Sequence, residues 1–197
     1  MSEQDTRERI LDAGVEIMLE RSFHSVGLNQ LLSAVNVPKG SFYHYFKSKE
    51  QFGVEVLRHY SRQANSKRHQ ILANLEISEN PIERLVFMLN AGIEDIHDGG
   101  CKCPCLLQKV AIEVVNTSES MREALADGFG EMIAIFKEVL DEAVSKQYLS
   151  QDLNTESEAQ FILDLWAGAQ QRTAIIRDVT PLRHAVAIIR ERLAQKI

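Results

Sequence analysis

The chain has 197 residues, of which 45% are hydrophobic and 25% charged, so it is long enough to bury a core and its composition excludes an intrinsically disordered protein. Charged residues occur throughout the first twenty positions, and no stretch approaches the ~18 apolar residues of a membrane span. The sequence therefore predicts a cytoplasmic protein with no membrane partner.

The net charge of −6 disfavours a nucleic-acid partner if it is taken alone. The charges are unevenly distributed, however, because the segment from Arg21 to Lys49 contains Lys39 and Lys47 but no Asp or Glu. An acid-free stretch in an acidic protein provides a local positive surface for phosphates. The same pattern can arise by chance in a short helical region, so charge alone leaves both interpretations open.

Three helices are predicted in the first fifty residues, and the second and third are short. The first ends near Arg21 and is indicated by apolar residues at helical spacing, namely Ile10, Ala13, Gly14, Ile17 and Met18. The second stops at Pro38 and is indicated by Leu28, Leu31, Leu32 and Val35. Pro38 suits the first turn of the third helix.

The third helix, in the segment PKGSFYHYFK, has two faces of different character. The anchoring face holds Pro38, Phe42, Tyr45 and Phe46, with Ser41 at its edge. The displayed face holds Lys39, Gly40, Tyr43, His44 and Lys47. Two short helices joined by a tight turn, the second with such a displayed face, are typical of a helix-turn-helix that reads the major groove. Alternatively, Tyr43 and His44 pack on a neighbouring helix.

The segment VPKGSFYHYFKSKEQFGVEVL, residues 37–57, resembles the recognition and linker helices of TetR-family repressors. The resemblance implies a homodimer that binds double-stranded operator DNA. It also implies base or phosphate contacts from Lys39, Gly40, Ser41, Tyr43 and His44, and a phosphate contact from Lys49. Two positions depart from the family pattern. Gly27 stands where a hydroxyl residue is usual, and Gly can also cap a helix. Asn36 stands where a glycine is usual, and Asn tolerates a left-handed backbone.

In the rest of the chain, apolar residues recur at helical spacing, and neither a strand pattern nor an internal repeat is present. Ser48 and Gln51 form a capping box at one helix start, and Asn80 with Pro81 marks another. We therefore predict an all-α protein with an N-terminal helix-turn-helix DNA-binding domain over residues 1–48. A larger helical ligand-binding and dimerisation domain is predicted over residues 49–197. Its two terminal helices pack within the monomer or against a second copy, and the resemblance favours the second copy.

An inducer pocket is a further expectation for this larger domain. Its candidate lining consists of Met and aromatic residues at helical spacing, namely Met88, Phe129, Met132, Phe136 and Trp166. The same spacing is also typical of an ordinary hydrophobic core.

The run GGCKCPC places the three cysteines of the chain at Cys101, Cys103 and Cys105. Together with His97 they could bind zinc or copper, although alternate-residue spacing departs from the usual ligand pattern. No cofactor is predicted, and a metal-responsive repressor is an alternative function. Alternatively, the cysteines are small buried residues that have a structural role and no signalling role.

Thiol signalling is the other interpretation of this run. Pro104 suits a helix start, which would place Cys105 in the first turn, where free amides and the positive charges of Lys102 and Lys109 favour a thiolate. Cys101 and Cys103 are possible partner thiols that could resolve a sulfenic acid into a disulfide.

The chain also resembles NemR-like electrophile-responsive repressors in the Cys-Leu pair at 105–106 and in LWAGAQ at 165–170. By position Cys105 corresponds to their sensing cysteine. Pro104 replaces an expected glycine, and Ala174 stands where a lysine is expected. We therefore expect a repressor released by a small molecule or by electrophile or oxidant modification of Cys105. A thiol enzyme with Cys105 as nucleophile and His97 as base is the alternative from another class, but the sequence lacks an oxyanion-hole or substrate motif, so no enzyme is predicted.

Overall fold

The computed structural model describes residues 3–25, 27, 32–33, 37, 39–102 and 105–196. Its helices are α1 (Glu3–Glu20), α2 (Lys39–Tyr45), α3 (Lys49–Leu72), α4 (Pro81–Asp98), α5 (Leu106–Val114), α6 (Glu119–Ser145), α7 (Thr155–Ile176) and α8 (Thr180–Ala194). A short 3-10 turn covers Phe23–Ser25. Every regular element in the described part of the chain is helical, which confirms the all-α prediction.

Several predictions fall outside the described residues. They concern most of the second helix, with Leu28, Leu31 and Val35, and also Asn36, Pro38, Cys103 and Pro104. The backbones of Lys39 and Ser41 lie in α2, while their side chains are outside the described part.

The chain divides into two compact units. The N-terminal unit combines Met1–Gln63 with Cys105–Phe129, and the C-terminal unit combines Ala64–Pro104 with Gly130–Ile197. The helix headed by Cys105 therefore belongs to the same unit as α1 and α2. The functional division between residues 48 and 49 stays a prediction.

The N-terminal unit is built on a close approach of α1 and α3. Ile10, Leu11 and Met18 of α1 are fully buried, as the apolar spacing predicted for Ile10 and Met18. A methyl group on Gly14 would lie 2.7 Å from both Phe52 and Val56, so only glycine allows this packing distance.

Side-chain caps fix where the helices begin. The Ser48 hydroxyl accepts a hydrogen bond from the amide of Gln51 at 3.0 Å, as predicted, and the Gln51 side chain accepts one from the amide of Lys47 at 2.7 Å. The Asn80 side chain accepts one from the amide of Ile82 at 2.9 Å, and α4 follows with Pro81 in its first turn.

The C-terminal unit packs α8 against both α4 and α7. Its core is made of aliphatic and aromatic side chains with 1% exposure or less: Leu85, Ile93, Phe136, Leu140, Ile162, Leu182, Ile189 and Leu193. None of the described helices is both long and apolar enough to cross a membrane.

Candidate functional site

Helix α2 is anchored by one face and displays the other. Phe42 and Phe46 are 1% and 0% exposed, and their rings are in tilted contact with centres 5.1 Å apart. The Phe52 ring of α3 lies 5.4 Å from Phe42 and 5.1 Å from Phe46. Edge and tilted contacts of this kind add to the burial of apolar area, so three rings hold a helix of only seven residues in place.

The opposite face of α2 is accessible. Tyr43 is 55% exposed, and Gly40 and His44 are also exposed. This agrees with the predicted separation of buried and displayed residues, except that Tyr45, predicted on the anchoring face, is only half-buried. A phenol, an imidazole and a glycine on one exposed face provide hydrogen-bonding groups together with room for close approach.

Lys49, the first residue of α3, contacts the turn that follows α1. Its ammonium donates a hydrogen bond to the carbonyl of His24 at 2.9 Å and lies 5.0 Å from the centre of the Phe23 ring. Burial lowers the pKa of Lys49, and the negative charge of Glu113 opposes part of that effect. The predicted phosphate contact of Lys49 stays a prediction, and this internal contact is an additional role.

Glu113 of α5 joins the same turn. Its carboxylate accepts hydrogen bonds from the Ser22 hydroxyl at 2.8 Å and from the amide of Phe23 at 2.7 Å. One turn earlier on α5, the Lys109 ammonium donates to the carbonyl of Leu19 at the end of α1. Lys109 therefore binds the end of α1, and Glu113 binds the turn that follows it.

Sequence reasoning missed this contact. The available signal was the segment LLQKVAIEV, in which Lys109 and Glu113 are the only charged residues and are four positions apart. Such a pair suggests an ion pair along one helix. In the structure both side chains bind residues about 90 positions away instead.

The cysteines of the described part are both buried thiols. Cys105 is 4% exposed and is the N-cap residue of α5, with no capping hydrogen bond from its side chain. The prediction that it lies inside the first turn was therefore wrong by one position: α5 begins at Leu106, and Cys105 itself has an extended backbone with φ of −103°.

Cys101 lies in the C-terminal unit and is also 4% exposed. Its backbone is left-handed with φ of 54°, directly after Gly100 with φ of 72°. The carbonyl of Cys101 accepts a hydrogen bond from Arg177 at 3.1 Å, which helps to hold this uncommon conformation. Its role as a partner thiol stays a prediction.

The metal alternative gains no support from the described residues. They contain no group of three or more His, Cys, Asp or Glu side chains placed to hold a metal ion. The side chain of His97 is 60% exposed, and its ring lies 3.4 Å from the carboxylate of Asp98.

The predicted pocket residues are distributed over both units. Met88, Met132, Phe136 and Trp166 are buried in the C-terminal unit, and Phe129 is half-buried in the N-terminal unit. A cavity of about 450 Å³ in the C-terminal unit has a different lining: Ser150, Asp152, Leu153, Asn154, Ser157, Glu158, Arg192, Gln195 and Lys196. The inducer pocket stays a prediction.

Comparison with known proteins places both halves of the chain in one group. Residues 10–56 match the family described as "Bacterial regulatory proteins, tetR family", and residues 81–189 match "Tetracyclin repressor-like, C-terminal domain". The chain is 36% identical to the HTH-type transcriptional repressor NemR of Escherichia coli K12, covering 98% of this chain and 96% of NemR.

Two further relatives extend this similarity. The chain is 29% identical to the HTH-type transcriptional repressor DhaR of Mycobacterium sp. strain GP1, over 98% of this chain and 94% of that protein. The crystal structure of the reduced form of E. coli NemR superimposes with a TM-score of 0.84 at 32% identity, over 94% of this chain and 96% of that one.

Proposed function

The chain belongs to the TetR family of bacterial regulatory proteins, and from that premise we propose that it leaves its operator when an electrophile alkylates Cys105. Its general function is that of a TetR-family transcriptional repressor and not of an enzyme, because its relatives along the whole chain are transcriptional regulators. Regulators of this family bind operator DNA and act as dimers. Because its target is the chromosome, we place the protein in the cytoplasm.

The DNA-reading surface in this proposal is the displayed face of α2. Tyr43 and His44 would contact base edges, and Gly40 would let the backbone approach the groove. Lys39 and Ser41 would contact bases or phosphates, as the family pattern implies. The exposure of Tyr43 supports this assignment: its ring touches that of Phe42 edge-on, yet Tyr43 stays 55% exposed and accessible to a DNA groove.

The observation that carries the sensing proposal is the position of Cys105. This residue heads α5, and α5 is bound through Lys109 and Glu113 to the backbone that enters the helix-turn-helix. A group attached to a side chain that is 4% exposed cannot fit without displacing its neighbours. Alkylation would therefore shift α5 and, with it, the DNA-reading elements of the same unit.

The chemistry is a conjugate addition. The Cys105 thiolate attacks the β-carbon of an α,β-unsaturated carbonyl compound, a sulfur–carbon bond forms, and the carbon–carbon π bond breaks. The resulting enolate takes a proton from water, so the adduct is a neutral thioether.

The test is a gel shift on the DNA that flanks the coding region of the protein, with N-ethylmaleimide as the electrophile. Wild type and Cys105→Ser should bind alike without the reagent, and only wild type should be released by it. Cys101→Ser is the matched control, because Cys101 is equally buried but lies in the other unit. It should be released like wild type.

Other outcomes discriminate between the alternatives. Binding to none of the flanking fragments at any salt concentration would contradict the proposed operator. Equal release of wild type and Cys105→Ser would rule out Cys105 as the sensor. Release of both proteins by the saturated analogue, N-ethylsuccinimide, would indicate a non-covalent inducer instead.

A further inference from the structure

The turn between α1 and the helix-turn-helix is held by a carboxylate from elsewhere in the sequence. Glu113 accepts a hydrogen bond from the Phe23 amide at 2.7 Å and from the Ser22 hydroxyl at 2.8 Å. The ring of His24 also lies 3.4 Å from the carbonyl oxygen of Glu113. Charge-assisted hydrogen bonds from a backbone amide are among the stronger polar contacts in proteins.

The same turn also contacts the DNA-reading half of the unit. The His24 carbonyl accepts the hydrogen bond from Lys49, and α3 begins at that residue, four positions after α2 ends at Tyr45. Glu113 therefore stands at one end of a continuous series of contacts that reaches α2. Its charge also acts directly on the Lys49 ammonium and opposes the loss of its proton.

Helix α5 can transmit a displacement along this series. Cys105 and Glu113 are eight residues apart, about 12 Å along a helix axis. Leu106, Leu107, Val110 and Val114 between and beside them are 1% exposed or less, so the buried face of α5 is closely packed. Closely packed interiors transmit strain, so a displacement at Cys105 would be passed on to Glu113.

We infer that Glu113 is a positioning residue for operator binding. Its carboxylate fixes the turn at Ser22–His24 against α5 and so sets the placement of Lys49 and α2 on DNA. The inference depends on the proposed function in one respect: its test measures the affinity of the protein for operator DNA. It requires no particular inducer.

The experiment measures operator affinity, by fluorescence polarisation with the flanking DNA fragment, for four proteins: wild type, Glu113→Ala, Glu113→Gln and Asp127→Asn. Asp127 is an exposed acid of the same unit and controls for net charge. We expect Glu113→Ala to lose roughly tenfold in affinity, the size expected for a hydrogen bond to a charged group. Glu113→Gln keeps an acceptor oxygen and should lose about threefold or less, while Asp127→Asn should bind like wild type.

Two further readouts separate positioning from a general loss of stability. Amide hydrogen exchange at Phe23 should accelerate in Glu113→Ala and stay unchanged in Asp127→Asn, while exchange in the core of the C-terminal unit stays as in wild type. Ser22→Ala added to Glu113→Ala should cause no further loss, because the two residues share one contact.

The inference is overturned if Glu113→Ala binds the operator as wild type does. It is also overturned if Glu113→Gln and Asp127→Asn lose as much as Glu113→Ala, since net charge would then explain the effect. If N-ethylmaleimide fails to release wild type, the electrophile proposal fails, but these affinities are measured without the reagent and still decide the role of Glu113.

Discussion

The guanidinium of Arg84 donates a hydrogen bond to the carboxylate of Glu142 at 2.6 Å, and it joins α4 to α6 inside the C-terminal unit. The side chain of Arg84 also donates to the carbonyls of Leu72, at 2.5 Å, and of Ser78, at 2.9 Å. Arg84 is 1% exposed. A fully buried arginine is tolerated here because its donors have acceptors, among them the carbonyl that ends α3.

Arg84→Met should therefore destabilise the protein by about 3 kcal/mol. Methionine fills much of the volume but leaves the carbonyls of Leu72 and Ser78 and the Glu142 carboxylate without this donor. Urea unfolding followed by circular dichroism measures the change. Arg183→Met is the control, because the Arg183 side chain is 62% exposed and its distance to Glu94 is 4.0 Å. A loss of stability no larger than that of the control would show that the hydrogen bonds of Arg84 do not stabilise the fold.

The contribution of Glu142 should depend on pH. Burial raises the pKa of Glu142, but hydrogen bonds from Lys146 and Arg84 outweigh it, so its net pKa lies below the ordinary value of 4.5. A carboxyl with a depressed folded-state pKa contributes stability above its unfolded pKa and loses that contribution as pH falls through the folded value. Wild type should thus be more stable than Glu142→Gln at pH 7, and the difference should shrink once the pH falls below 4.5. A difference that stays constant across that range would contradict the ionic role.

Two helical glycines should respond in opposite directions to substitution by alanine. A methyl group on Gly53 would lie 2.7 Å from the Phe23 ring and 2.9 Å from Met121, whereas none of the described atoms lies within 4 Å of a methyl group on Gly130. Gly53→Ala should therefore destabilise by about 1–3 kcal/mol through overpacking. Gly130→Ala should stabilise by about 0.5–1 kcal/mol, because alanine has the higher helix propensity. Thermal unfolding of both variants checks the prediction, and equal shifts would contradict it.

Local patterns in the sequence predicted the parts of this molecule that depend on local chemistry. The burial of Phe42 and the exposure of Tyr43 follow from helical periodicity, and the start of α4 follows from Asn80 and Pro81. The contact between Glu113 and Phe23 could not be predicted in this way, because it depends on how α5 packs and not on spacing along the chain. For the same reason, the hydrogen bonds that Arg84 makes to Leu72 and Glu142 were not predictable.

The last prediction separates DNA reading from folding on α2. Tyr43→Ala and His44→Ala remove exposed side chains and should leave thermal stability nearly unchanged. Each should lower operator affinity by roughly tenfold or more, the cost of losing a specific contact in the groove. Phe42→Ala should instead destabilise the unit by about 3–5 kcal/mol, because Phe42 is 1% exposed.

Fluorescence polarisation with the flanking fragment and thermal unfolding of the same samples distinguish these effects. Ile112→Ala provides a matched control, since Ile112 is 78% exposed in the same unit but lies on α5. It should change neither quantity. If Tyr43→Ala and His44→Ala bind as tightly as Ile112→Ala, the exposed face of α2 does not read the operator. The exposure of Tyr43 would then need a different explanation, such as contact with another protein surface.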